Sequence, residues 1–154
     1  MSNIIEFFQG KLYDKNALLK WNLPQKIAEK LNIKDYPYYF LTLSPEEERQ
    51  GHENHIHLSL YPTKSEPVYL LEVETTVILP ELLHKCLEII KNKENNIITS
   101  TGFCKSKGNC FFGVFFSIAD SNSDLDNLLA EVKKIEKVRD ANFFKYTCEG
   151  CGEL

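Results

Sequence analysis

VYLLEV (Val68–Val73), PELLHKCLEII (Pro80–Ile90) and SDLDNLLAEVKKIEKV (Ser123–Val138) decide the fold. The first is a short run rich in aliphatic and aromatic residues and reads as a strand. The other two carry apolar residues at spacings of three and four, the period of a helix with one buried stripe. In the last segment the stripe is Leu125, Leu128, Leu129, Val132 and Ile135, with Lys133, Lys134 and Lys137 mostly off it. Ser123 suits the N-cap and Asp126 the capping-box acid three residues on. In the first helix Pro80 and Glu81 suit the opening turn. Leu82, Leu83, Cys86, Leu87 and Ile90 form its inward face, while His84 faces solvent.

Working outward, Asn96 to Phe103 and Cys110 to Ile118 read as strands, and KSKGN (Lys105–Asn109) as the hairpin between them. Asp140 to Tyr146 reads as a last strand. The order is then β-α-β-β-α-β, an α+β, ferredoxin-like sandwich with both helices on one face of an antiparallel sheet. In this arrangement the first and last strands are neighbours and the second lies at an edge. Such an edge is commonly covered by a partner or an added strand.

Residues 1–66 form an N-terminal helical and β extension to this domain, which spans 67–154. Ile4, Ile5, Phe7 and Phe8 make an apolar cluster that Gly10 ends. Asp14 caps a segment holding Leu18, Leu19 and Trp21. Pro24 opens PQKIAEKLNI, with Ile27, Ala28, Leu31 and Ile33 inward. That segment has the flavour of the first helix of a helix-turn-helix. The next stretch, KDYPYYFLTL, is aromatic and broken by Pro37 where a recognition helix should be polar or basic. A packing helix is the better reading. Tyr38–Leu43 and Ile56–Tyr61 read as two extra strands, which extend the main sheet or form a small second one.

A chain of 154 residues with 43% hydrophobic and 26% charged content is ordinary globular material of one domain plus an extension. Its net charge of -4 gives no general drive toward nucleic acid or anionic lipid. The opening MSNIIEFFQGKLYD has no basic leader or apolar core, and no stretch has the length to span a bilayer. A cytoplasmic location without a membrane partner is expected. An odd count of five cysteines then argues against a disulfide framework.

Residues 68–146 resemble an ACT-type regulatory domain. The resemblance is carried by ILPELLHKCLEIIKNKENNIITSTGF (Ile78–Phe103), CFFGVFFSI (Cys110–Ile118) and LDNLLAEVKKIEKVRDANFF (Leu125–Phe144). It implies a homo-oligomer assembled through sheets or helices, and a small-molecule effector. The family often places an acid and a glycine in the loop between first strand and first helix. Here that loop, Glu74–Pro80, has no glycine. The resemblance therefore implies effector contact through Glu74, Thr75 and Thr76.

Two further residue sets suggest metal chemistry. Cys148-Glu149-Gly150-Cys151 has the C-x-x-C spacing of a zinc chelate or thiol pair, and Cys104 and Cys110 flank the hairpin as a second pair. A last strand of six or seven residues puts the hairpin and the tail about 20 Å apart. A four-cysteine zinc site thus requires a partner subunit. Cys86 reads as a small core residue. His52, His55 and His57 form the second set in GHENHIHLSL, with His55 and His57 on one side of a strand. With Glu53 or a cysteine they suit a borderline metal.

No nucleophile elbow or phosphate loop is present, and spacing selects no acid pair. The best-supported expectation is a non-catalytic regulatory or assembly module that self-associates and senses a small molecule or binds zinc. A metal-dependent enzyme using His52, His55 and His57, and a transcription regulator using the N-terminal helices, are the alternatives.

Overall fold

The two amphipathic helices lie on one face of one sheet. The computed structural model describes residues 9–33, 35–45, 56–93, 95–118 and 124–148. In chain order these form β1 (Gln9–Asp14), α1 (Lys15–Leu19), α2 (Gln25–Lys30), β2 (Tyr38–Pro45), β3 (Ile56–Thr63) and β4 (Val68–Thr75). There follow α3 (Pro80–Asn92), β5 (Asn96–Ser106), β6 (Asn109–Ser117), α4 (Leu125–Lys133) and β7 (Val138–Tyr146). The chain divides into two units, one of residues 1–66 with 146–154 and the other of residues 67–145.

In the second unit the strand order is β5-β6-β4-β7. The first strand of the βαββαβ series lies between the third and the last, and the second is at an edge, as the sequence pattern requires. β4 and β6 pair antiparallel from Val68↔Ser117 to Thr75↔Cys110. Side chains alternate across a strand. Leu71 and Val73 of β4 therefore share a face with Phe112, Val114 and Phe116 of β6. On that face they meet Leu82, Cys86 and Ile90 of α3 and Leu128 and Val132 of α4 in one buried cluster. Each fully buried Leu, Val, Ile or Phe contributes about 1.5–3 kcal/mol relative to exposure.

The local signals differ from expectation at the second helix. Asp124 is its N-cap, and the carboxylate accepts from Asn127 N at 3.0 Å. Ser123 lies outside the described residues. The helix stops at Lys133. Ile135 still packs on the core, but from the turn into β7. Lys137 in that turn has φ 74°, a conformation that costs a side-chain-bearing residue about 1–2 kcal/mol. Pro80 opens α3 as expected. Gly108 supplies φ +83° in the β5–β6 hairpin.

In the first unit β1, β2 and β3 form a separate antiparallel sheet in that order. Sequence patterning does not reveal β1, and it makes Gly10 the end of an apolar cluster. Gly10 instead sits inside the strand opposite Thr42. Asp14 caps α1, its Oδ1 accepting from Ala17 N at 2.7 Å. Of the four residues expected inward around α2, Ile33 is buried with Leu18 and Tyr39, and Ala28 and Leu31 pack against them. Ile27 departs from the expectation and is 48% exposed. The Tyr39 hydroxyl reaches the carbonyls of Leu31 (3.2 Å) and Asn32 (3.0 Å) at the end of α2.

Candidate functional site

The loop from Glu74 to Leu79 is held from both sides. Thr75 is fully buried. Its single hydroxyl hydrogen is shared between Val77 O at 3.1 Å and Lys137 O at 3.0 Å. That bond ties the β4–α3 loop to the α4–β7 turn. The side chain is spent on the loop's own geometry, which leaves half-buried Glu74 and exposed Thr76 as the loop's outward polar groups. Gly102 of β5 assists the closure. A Cβ there would stand 3.0 Å from Ile78 Cδ1, so the missing side chain lets the loop lie close to the edge strand.

Beside the loop is a cleft of about 110 Å³ lined by Leu79, Glu81, Leu82, Lys85, Ile135, Glu136 and Lys137. It is smaller than the roughly 300–1,000 Å³ of pockets that enclose drug-sized ligands. Its two ammonium groups and two carboxylates suit the head group of a small zwitterion. Sequence reasoning missed Lys85, Glu136 and Lys137, because their convergence depends on the turn that follows α4. In the first unit a wider hollow of about 420 Å³ lies among Leu19, Gln25, Ala28, Glu29, Asn32, Ile33 and Asp35.

The cysteines are arranged otherwise than expected. Cys104 and Cys110 face one another across β5 and β6 and form a disulfide, with Cα atoms 4.0 Å apart. The expectation against disulfides fails here. In this state neither sulfur offers the thiolate that zinc takes. Cys148 is also disulfide-bonded, and its backbone N–H donates to Glu66 Oε2 at 3.2 Å. Cys151 lies outside the described residues, as do His52, Glu53 and His55. His57 is exposed on β3. Among the described residues no group of three or more His, Cys, Asp or Glu side chains is placed to hold a metal ion.

Cys86 is the free thiol among the described cysteines, and burial pushes its pKa up from 9.0 to about 12. The folded state thus keeps this proton after the unfolded chain has lost it. The resulting stability is complete below the unfolded value and declines as pH rises toward the folded one. The stability gap between wild type and Cys86→Ala should narrow by about 1 kcal/mol per pH unit above pH 9, measured by urea unfolding at each pH. A constant gap would show that the thiol ionises equally in both states.

No family model and no curated protein matches the chain. Among solved structures, the solution structure of the C-terminal domain of the MgtC protein from Mycobacterium tuberculosis is similar at 11% identity and a TM-score of 0.43. The match covers 51% of this chain and 86% of that one. A likeness so slight carries no functional argument. The α+β class rests on the sheets and helices themselves. Among the described residues no helix is long and apolar enough to cross a membrane.

Proposed function

We propose that the chain is an ACT-type, non-catalytic regulatory module that works as a homo-oligomer in the cytoplasm. The observation that carries this reading is the edge position of β5 in the second sheet, where no second described strand pairs with it. β5 is eleven residues long, lies at that edge and holds one charged side chain, Lys105, close to its end. An edge this long and this weakly charged is a template for pairing with another strand. A second copy of β5 meets the same need by antiparallel, two-fold pairing. The effector we assign is a small zwitterion of amino-acid size, taken by Thr76 and the cleft between Lys85 and Lys137; Glu74 alternates with Val73 and Thr75 on β4 and stands on the sheet face away from that cleft. Zinc belongs to this reading only with Cys104 and Cys110 as thiols and a partner subunit completing the ligand set.

The short Cα separation of Cys104 and Cys110 marks a non-hydrogen-bonded pair, and such pairs recur every second residue. Ser100, opposite Val114, is therefore another, and its N–H points out of the sheet. Light scattering across a range of concentrations should find a dimer for the wild type and a monomer for Ser100→Pro, which removes that donor without breaking the β5–β6 ladder. A wild type that stays monomeric would refute assembly through this edge. Addition of free amino acids should raise the melting temperature, and Lys85→Ala should remove that rise. No rise with any of them would refute the effector assignment while leaving the assembly intact.

A further inference from the structure

We propose that the Cys104–Cys110 bridge is a reversible thiol–disulfide exchange site, opened by a dithiol reductant that attacks at Cys104. The inference stands apart from the regulatory reading and uses neither the effector nor the dimer.

The two sulfurs are unequal. Cys104 is exposed on the edge strand, whereas Cys110 is 3% exposed on the inner one. An incoming thiolate can reach Cys104 and is shut out from Cys110. The segment around the bridge, CKSKGNC, holds two lysines and no acid. A third cation is fixed there by Arg139, whose Nη1 donates to Gly108 O at 2.9 Å. Positive charge at this corner favours the thiolate form of an approaching nucleophile.

The exchange balances in two steps. The reductant's thiolate bonds to Sγ of Cys104, and the electron pair of the old bond leaves on Sγ of Cys110, which takes a proton from water. The reductant's second thiol, as its thiolate, then attacks its own sulfur in the mixed disulfide and releases the thiolate of Cys104, which is protonated in turn. The dithiol becomes a disulfide and the bridge gains two electrons and two protons.

The fold has a place for the product. Cys110 Sγ lies 3.7 Å from the carbonyl oxygen of Thr76, which accepts the S–H of the reduced residue. A buried thiol proton thereby finds a partner without rearrangement. The bond is also not needed to close the hairpin, since β5 and β6 pair along their length from Asn96↔Ser117 to Ser106↔Asn109. Both redox states are compatible with one backbone. A disulfide that serves only stability is normally shielded from exchange, whereas an exposed one is labile.

The test is native-state reduction of the full chain with dithiothreitol, quenched by an alkylating agent and mapped by peptide mass. Cys104 and Cys110 should be labelled in folded protein at a rate within about tenfold of that in urea. Cys86 should stay unlabelled until the chain unfolds. The far-UV spectrum should not change, and glutathione disulfide should restore the bridge. The amide nitrogen of Val77 should shift on reduction, because its peptide carbonyl is the Thr76 oxygen that gains a donor. In Cys110→Ser the remaining Cys104 should take up glutathione, and in Cys104→Ser Cys110 should not. A bridge that opens only in urea, or a pair that stays as thiols under oxidising conditions, would overturn the proposal. So would a mixed disulfide that forms on Cys110. The wild-type measurements decide the matter even if a variant fails to fold.

Discussion

Replacing Phe116 by alanine should lower the unfolding free energy by about 3–5 kcal/mol, which is the usual cost of emptying a buried phenylalanine site. Phe116 is fully buried on the helix-covered face of β6. Its ring stacks on Tyr69 with centroids 5.8 Å apart and meets Phe143 edge-on at 5.9 Å. Those partners come from the two strands β4 and β7, and Tyr69 and Phe143 also touch each other at 6.3 Å. Three rings in mutual contact cannot close over the space left by one. Domains of this size have about 5–15 kcal/mol of stability in all, so the loss takes a large share of it. Urea unfolding followed by circular dichroism measures it. A loss under about 1 kcal/mol would mean that the ring is not enclosed as described.

Gly10→Ala should destabilise the first unit by about 1–3 kcal/mol, although alanine is the smallest side chain available. A Cβ at this position would stand 2.6 Å from Phe40 Cζ and 3.1 Å from Tyr146 Cε1. Phe40 is fully buried and packs edge-on against Tyr146 at 5.2 Å. Neither ring can give way without disturbing the other. Trp21 is the sole tryptophan and belongs to this unit, with its ring 4.8 Å from that of Tyr13. The midpoint of its fluorescence transition in urea therefore reports the change. An unchanged midpoint would show that the rings leave room over the strand.

The second unit was the more legible part of the sequence, for a physical reason. α3 and α4 each bury a stripe against a sheet, and burial against a flat surface imposes the three-and-four spacing on the sequence. β6 is buried from Cys110 to Ser117 and reads as a continuous apolar run. The pattern favours Ser123 as the N-cap of α4, whereas the cap is its neighbour Asp124, whose carboxylate is the one that accepts from Asn127 N. β1 was harder. Among its described side chains only Leu12 is fully buried, and it is a strand because of a partner, β2, that lies more than twenty residues away. In α2 the spacing places Ala28 and Leu31 correctly but not Ile27, because a helix of six residues is too short for its period to fix every position.

The candidate site was less legible. Thr75 reads as a polar loop residue available to a ligand, but its hydroxyl is tied to Lys137 O, sixty-two residues on, and only the fold shows that. The disulfide illustrates the same limit. With Ser106 opposite Asn109, a regular ladder would set Lys105 against Cys110 and put the two cysteines on opposite faces. The register shifts between Cys104 and Ser106, and that one irregularity brings them together. Nothing in CKSKGNC announces it.

Tyr146 has a consequence for how the protein is made. A ribosome delivers all three strands of the first sheet before it reaches residue 67, but the ring that covers Gly10 beside Phe40 follows only after the whole second unit. Throughout that interval the nascent chain carries an aromatic patch without its cover. Any pause in translation between the two prolongs the time in which that patch can meet a neighbouring chain instead of its own end.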